Sequence, residues 1–252
     1  MPRRKHPRNI EDGTHEIFLK SWNEFHEKVG QIQRYPHYVF RGQQDAAWLV
    51  EPSLTRLLGK KTKWNQVMKN YLQRFCLSLR GRLDTHLLLT LPENEILAIG
   101  QHYGLATPLL DWTIAPYVAL FFAFEHKDHP NQTEYRAVYA LDEQHVTSTS
   151  MSLKPKDKIE FIRPSSGFNQ RLVNQNGLFT KSPPFIDIGS WVEDQFESVD
   201  DSDIFIKINI PNSDRKTCLQ ALNRMNINNA SLFPDINGSS RFCNMAMEIE
   251  NY

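Results

Sequence analysis

The run of residues 114–124, IAPYVALFFAF, constrains the fold of this 252-residue chain more than any other segment. A helix with this sequence is apolar on nearly all sides, so other elements must enclose most of its surface. The run is about half as long as the ~20 residues that a membrane-spanning helix needs. We therefore expect a buried helix from about Ala115 to His126 inside a water-soluble domain.

The segments around this helix predict strands and helices in mixed order. Strand character occurs at residues 38–40, 135–141, 185–188 and 204–210, and helices are expected from Ser21, over 64–79, over 92–103 and over 215–225. The apolar stripe of the 64–79 helix favours core packing, whereas residues 148–155 are typical of a surface loop. The order predicts an α+β fold, with one mixed or antiparallel sheet and packed helices. We expect one domain over residues 21–252 after a basic, poorly ordered tail of residues 1–20.

The charge balance argues against a strongly electrostatic partner. The chain has 29 Lys and Arg residues against 29 Asp and Glu residues, so no net field gathers nucleic acid or an anionic membrane. Its three cysteines are far apart and form no CxxC pair, which fits a reducing compartment, and we expect a cytoplasmic protein. The HKDH run at residues 126–129 lacks the HExxH spacing, so no metal is expected.

Three segments place polar side chains among apolar ones. Arg41, at the end of a buried strand, needs a partner because an unpaired buried guanidinium is costly, and Asp111 is the obvious candidate. Gly42 beside it lets a ligand or another backbone approach closely. This pattern fits a ligand site and a structural salt bridge equally well.

The second segment joins residues 101–104 to residues 109–113. His102 lies near a helix C-terminus, where the helix dipole favours its charged form, while Asp111 or Thr113 can cap the next helix. In the third segment, Arg171 and Gln175 are four residues apart and precede an Asn-Gly turn signal. Either of these segments can face a pocket or serve structure alone.

Together these segments resemble the FRG-domain family, which is named for its (F/Y)RG motif. The resemblance is carried by FRGQ at residues 40–43, EPSLTR at 51–56, QHYGL at 101–105, TPLLDWT at 107–113, APYVALFFAF at 115–124 and LFPD at 232–235. It covers roughly residues 21–238 and implies a protein of largely bacterial or phage type, with a role as an effector in bacterial defence. Two positions depart from the pattern: Ala106 stands in place of a proline, and Pro108 stands where many members carry arginine.

A weaker resemblance, in the order of the motifs, is to ADP-ribosyltransferases. In those enzymes an early-strand arginine or histidine holds NAD, a strand bearing Ser or Thr leads into a helix, and a late carboxylate orients the ribose. The resemblance implies a nucleotide-like or NAD-like ligand, with NAD as substrate for ADP-ribosyl transfer or NAD cleavage. Gln175 takes the late position; glutamine can bond a ribose hydroxyl but carries no charge.

The residues implied for this site form two groups. Catalytic roles fall to His102, Asp111 and Gln175, and ligand binding falls to Arg41, Gly42, Gln43, Tyr103, Thr107, Thr113 and Arg171. Two other functions stay open. One is a non-catalytic module that senses a ligand or a protein partner, and the other is a nucleic-acid-processing effector, which only the basic N-terminus and scattered arginines favour.

Overall fold

The computed structural model describes residues 13–32, 36–59, 63–82, 90–164, 170–196 and 203–252. Residues 1–12 of the predicted N-terminal tail lie outside the described residues. Residues 14–18, which we assigned to the same tail, form a strand of the sheet. The ordered fold therefore begins before Ser21.

Seven strands and eleven helices make up the described part of the chain. The strands are β1 (Thr14–Phe18), β2 (Tyr38–Gln43), β3 (Leu109–Thr113), β4 (Tyr135–Asp142), β5 (Glu160–Ile162), β6 (Gly177–Lys181) and β7 (Phe205–Pro211). The helices are α1 (Phe25–Ile32), α2 (Ser53–Leu58), α3 (Trp64–Ser78), α4 (Glu93–His102), α5 (Pro116–Phe124), α6 (Glu143–Ser152), α7 (Gln170–Asn174), α8 (Ile188–Gln195), α9 (Arg215–Arg224), α10 (Asn229–Leu232) and α11 (Ile236–Glu248).

The strands form one mixed sheet in the order β1-β7-β4-β2-β3-β6-β5. The β1–β7 pair is parallel and the other pairs are antiparallel. Alternating isoleucines of β7 (Ile206, Ile208 and Ile210) face the main core, as strand periodicity predicts. The fold is α+β with packed helices, which confirms the predicted class.

The pairing between the two central strands of the sheet, β2 and β3, is very short. Strand β2 pairs with β4 over six residues, but it pairs with β3 only through Phe40 and Thr113. The backbone ladder between β2 and β3 stops there, next to Arg41. Beyond this pair, the backbone N–H and C=O groups that β2 and β3 turn toward each other are thus available to side chains and to a ligand.

Helix α5 is enclosed, as the sequence predicts. Leu120, Phe121, Ala123 and Phe124 are all inaccessible to solvent. Proline at the first helical position suits its start. Two arginines cap the C-terminal end of this helix. Arg136 donates to the Ala123 carbonyl at 2.6 Å, and Arg215 donates to the Phe124 carbonyl at 3.0 Å.

Two local predictions were wrong, and a third was right only in part. The apolar stripe of α3 does pack against the core, through Met68 and Leu72, but none of the described side chains of α3 is fully buried. Residues 148–152 continue helix α6, which begins where the Asp142 carboxylate accepts a bond from the His145 amide at 3.0 Å. Residues 185–188 are no strand, because Phe185 has a positive φ and Asp187 caps α8 by accepting from Gly189 and Ser190.

No helix in the described ranges combines the length and the apolar character needed to cross a membrane.

Candidate functional site

A cavity of about 830 Å³ opens over the thin junction between β2 and β3. Its volume falls in the range of small-molecule pockets, about 300–1,000 Å³. The two strands form its floor, and the loop before α2, helix α2, the end of α4, helix α5 and the α7 region form its walls. Its polar lining includes Arg41, Gln43, Gln44, Glu51, Arg56, Gln101, His102, Asp111, Thr113, Glu125, His126, Arg171 and Gln175.

Arg41 and Asp111 meet on the cavity floor, as the sequence predicts, but their carboxylate–guanidinium contact is loose. Arg41 Nη1 donates to the Asp111 backbone carbonyl at 2.8 Å and lies 3.8 Å from the Asp111 carboxylate. The guanidinium thus takes the bond that the missing strand ladder would have made. The Arg41 side chain is 18% exposed and that of Asp111 is 66% exposed, so the pair is open to the cavity.

The positive charge of the Arg41 guanidinium is only partly compensated by its surroundings. Burial lowers the pKa of its guanidinium, the Asp111 carboxylate opposes that change, and nearby Arg56 adds to it. Its Nε atom is buried without a hydrogen-bond partner among the described residues. A buried donor without an acceptor is costly, so this part of the Arg41 side chain is left unsatisfied by the protein.

Asp111 is oriented by a chain of side chains from α4 and the following loop. Its Oδ1 accepts from Gln101 Nε2 at 2.8 Å, and Gln101 in turn accepts from the Thr107 hydroxyl. Thr107 is held by Leu109, whose amide donates to the same hydroxyl at 3.2 Å. Although the Asp111 side chain is open to the cavity, the protein atoms around it displace water and raise the pKa of its carboxyl, while Arg41 and Gln101 oppose the rise.

The opposite wall comes from α7 and the C-terminal helices. Arg171 forms an ion pair with Asp235, the residue that caps α11, and its guanidinium lies 5.3 Å from the centre of the Phe233 ring. Gln175 donates from Nε2 to the Leu232 carbonyl at 3.2 Å. Arg171 and Gln175 are therefore both on the cavity wall, and both are already anchored to the C-terminal segment.

Gly42 is required by packing within the protein. A Cβ built on it would lie 1.9 Å from the Ala119 carbonyl oxygen and 2.6 Å from the Ala123 nitrogen, both in the backbone of α5. The close approach expected at this glycine is thus made by a helix. Gln43, the next residue, donates from Nε2 to the Leu49 carbonyl at 3.1 Å and leaves its Oε1 buried without a partner among the described residues.

The other predicted site residues differ in their access to the cavity. His102 lines it beside Gln101. Thr113 also lines it, but its hydroxyl bonds the Gln175 carbonyl at 2.6 Å and the Ala115 amide at 3.0 Å. Two residues predicted to bind ligand do not line the cavity: Thr107 is fully buried and orients Gln101, and Tyr103 is 78% exposed and packs its ring against His102. Asp111 does not cap α5, since it belongs to strand β3.

Several lining residues were absent from the predicted site, among them Arg56, Trp48, Glu125 and Phe233. Arg56 carried a usable signal, because it ends the EPSLTR segment that we had singled out. Phe233 had a similar signal, because it lies in the LFPD segment at residues 232–235. Trp48 and Glu125 gave no local signal, since their place at the cavity depends on how loops and helices meet in space. Glu125 is 8% exposed, and burial raises its pKa against the opposing charges of His126 and Arg241.

Among the residues that the structure describes, no three His, Cys, Asp or Glu side chains cluster as a metal site requires.

Comparison with known proteins identifies the region that carries most of this site. Residues 36–132 match the family model of the FRG domain. No curated protein and no solved structure matches the chain. The matched segment runs from just before β2 to just after α5, and contains Arg41, Arg56, Gln101 and Asp111, whereas Arg171, Gln175 and Phe233 lie beyond it. The chain therefore contains an FRG domain at residues 36–132.

Proposed function

We propose that the cavity binds a nucleotide-like ligand, with NAD as the leading candidate, and that the protein transfers ADP-ribose or cleaves NAD. One observation carries the proposal: an open cavity presents the Arg41 guanidinium and the oriented Asp111 carboxylate side by side on its floor. In a purely structural salt bridge we would expect a separation shorter than 3.8 Å and an Asp111 side chain less exposed than 66%.

The two charged side chains on the cavity floor, Arg41 and Asp111, suit different parts of the reacting ligand. Arg41 provides planar, fixed donors for a phosphate or carbonyl oxygen of the ligand. When nicotinamide leaves with the electron pair of the N-glycosidic bond, positive charge develops on the ribose at C1′. The Asp111 carboxylate, held by Gln101 at 2.8 Å, is available to stabilise that charge. Water or an acceptor hydroxyl then attacks C1′ and loses its proton to solvent.

The remaining lining suits a nucleotide in size and character. Trp48, Phe122 and Phe233 supply aromatic surface against which a base can stack. Gln175, anchored through its Nε2, can accept a ribose hydroxyl on its amide oxygen. This polarity and the volume of about 830 Å³ support a ligand of dinucleotide class.

A non-catalytic binding module is the second candidate, because Gln175 cannot carry the negative charge that a late carboxylate would contribute. In that case Arg41 and Asp111 would recognise the same class of ligand and hold it intact. Binding without turnover separates this candidate from the enzyme.

Release of nicotinamide from NAD tests the enzymatic proposal. We expect wild-type protein to release nicotinamide, and Asp111→Asn to slow the release by about 10²–10³-fold, the loss typical of removing one electrostatic stabiliser. Asp194→Asn serves as the matched control, because Asp194 is exposed on α8 and does not line the cavity. Absence of nicotinamide release by the wild type, with and without added protein acceptors, would leave only the binding module. Equal rates in wild type and Asp111→Asn would remove Asp111 from the mechanism.

A further inference from the structure

We propose that Arg56 and Arg41 form a diphosphate subsite, so that the ligand is a molecule with two adjacent phosphates, such as a nucleoside diphosphate or a derivative of one. The inference uses the cavity of the proposed function and names the part of the ligand that this end of it recognises. It does not require that any bond of the ligand be broken.

Arg56 faces the cavity from α2 without a close carboxylate partner. Its Nη1 donates to the Glu51 carbonyl at 2.6 Å, a neutral acceptor that orients the guanidinium but leaves its charge uncompensated. Within the described residues, no carboxylate lies within 4.0 Å of it. The side chain is exposed at the cavity wall, where it can reach a bound anion.

The position of Arg56 is coupled to the floor of the cavity through Thr107. The Leu54 amide donates to the Thr107 carbonyl at 3.1 Å, and the Thr107 amide donates to Ser53 Oγ at 3.1 Å. Thr107 is also the residue that orients Gln101 and, through it, Asp111. Helix α2 is therefore fixed relative to the Arg41–Asp111 pair, and the backbone that carries Arg56 has a defined position at the cavity.

Arg41 on the cavity floor and Arg56 on the adjoining wall repel each other unless an anion lies between them. Arg41 has one partial counter-charge, the Asp111 carboxylate at 3.8 Å, and Arg56 is close enough to disfavour the charged form of Arg41. A single phosphate can satisfy one guanidinium in bidentate geometry. A diphosphate offers a second set of oxygens and removes the repulsion between both groups, so its binding should depend on both arginines.

Isothermal titration calorimetry with ADP-ribose, AMP and inorganic pyrophosphate tests the subsite. We expect wild type to bind ADP-ribose and pyrophosphate more tightly than AMP. Arg56→Gln should weaken ADP-ribose binding by about 10–100-fold, the loss expected for one or two charge-assisted hydrogen bonds, and should weaken AMP binding less. Arg56→Lys should recover only part of the loss, because lysine lacks the planar fork. Arg74→Gln, on the exposed face of α3, is the matched control.

The outcomes separate this inference from the proposed function. If the wild type binds neither ADP-ribose nor pyrophosphate, or if Arg56→Gln binds ADP-ribose as tightly as the Arg74→Gln control, the diphosphate subsite is wrong. If Arg56→Gln binds ADP-ribose as tightly as the control and nicotinamide release is undiminished, the proposed function stands without the subsite. Arg56-dependent binding of pyrophosphate without nicotinamide release supports the subsite and contradicts the enzyme. Melting temperatures of all variants are measured in parallel, and a folded Arg56→Lys variant provides the comparison if Arg56→Gln unfolds.

Discussion

Replacing Gly42 by alanine should disrupt the junction on which the site is built. The new methyl group would lie 1.9 Å from the Ala119 carbonyl oxygen and 2.6 Å from the Ala123 nitrogen. Both atoms belong to the backbone of α5, so no side-chain rotation can relieve the clash, and the helix must move away from β2. Overpacking a core typically costs about 1–3 kcal/mol, and a clash with backbone belongs at or above the upper end.

A loss of about 3 kcal/mol corresponds to a fall of about 6–12 °C in Tm for a chain of this size. Gly30→Ala is the matched control, because Gly30 lies inside α1 with no atom within 4 Å of its added Cβ. We expect that variant to be unchanged or stabilised by about 0.5–1 kcal/mol, since alanine favours a helix interior. Differential scanning calorimetry of both variants decides the matter. A Gly42→Ala protein that melts within 2 °C of wild type (about 1 kcal/mol or less) would refute the packing argument.

Three further substitutions test the core and two buried carboxylates. Phe121→Ala should cost about 3–5 kcal/mol in urea denaturation, because the ring is fully buried, and an unchanged midpoint would mean that α5 is peripheral. Although burial raises the pKa of Asp45, hydrogen bonds from Thr133 and from the Ala47 amide leave it below the ordinary value of 3.8. The stability advantage of wild type over Asp45→Asn should therefore be present above about pH 4 and shrink on acidification, and a gap independent of pH would contradict this. Burial raises the pKa of Glu125 above 4.5, so the stability of Glu125→Gln relative to wild type should increase as the pH rises from about 4.5 to 8. A relative stability that falls over the same range would reverse the assignment.

The features that sequence reasoning predicted correctly are those set by local chemistry. The uniform apolar surface of residues 116–124 requires enclosure, and the structure encloses it. The expectation that Arg41 and Asp111 converge followed from the cost of leaving either charge alone in apolar surroundings, and they meet at 3.8 Å. The helix over residues 215–225 ends where expected, with Asn226 at a positive φ.

The errors arise where the distant fold overrides a local pattern. The stripe beginning at Trp64 has helical spacing, but periodicity identifies a face without showing how deeply it is covered. The Ser and Thr residues within 148–155 suggested a loop, yet the Asp142 cap and the buried Ser150 hydroxyl, which accepts from the Ile159 amide at 3.2 Å, fix a helix as far as residue 152. Thr107 and Tyr103 were predicted at the ligand because their neighbours are there, and only three-dimensional geometry shows that one is sealed and the other points outward.

The lining of the cavity was predicted in part, for a similar reason. Motif order gave Arg41, Asp111, Arg171 and Gln175, all of which line one cavity. The LFPD segment was singled out, but Phe233 could not be placed at this cavity from sequence. Its place depends on α10 and α11 folding back against α7, where Asn174 Nδ2 donates to the Ser231 carbonyl 57 residues further along the chain.

Calorimetric titration of NAD into wild-type protein and Arg41→Lys, with the melting temperature of each, tests the central claim most directly. Lysine retains the positive charge beside Asp111 but cannot reproduce the guanidinium fork. We predict that wild type binds NAD, and that Arg41→Lys stays folded and loses the binding. If the wild type does not bind NAD, the NAD-based account fails. If Arg41→Lys melts early and NAD changes the melting temperature of neither protein, Arg41 is a structural residue and the cavity is not its ligand site.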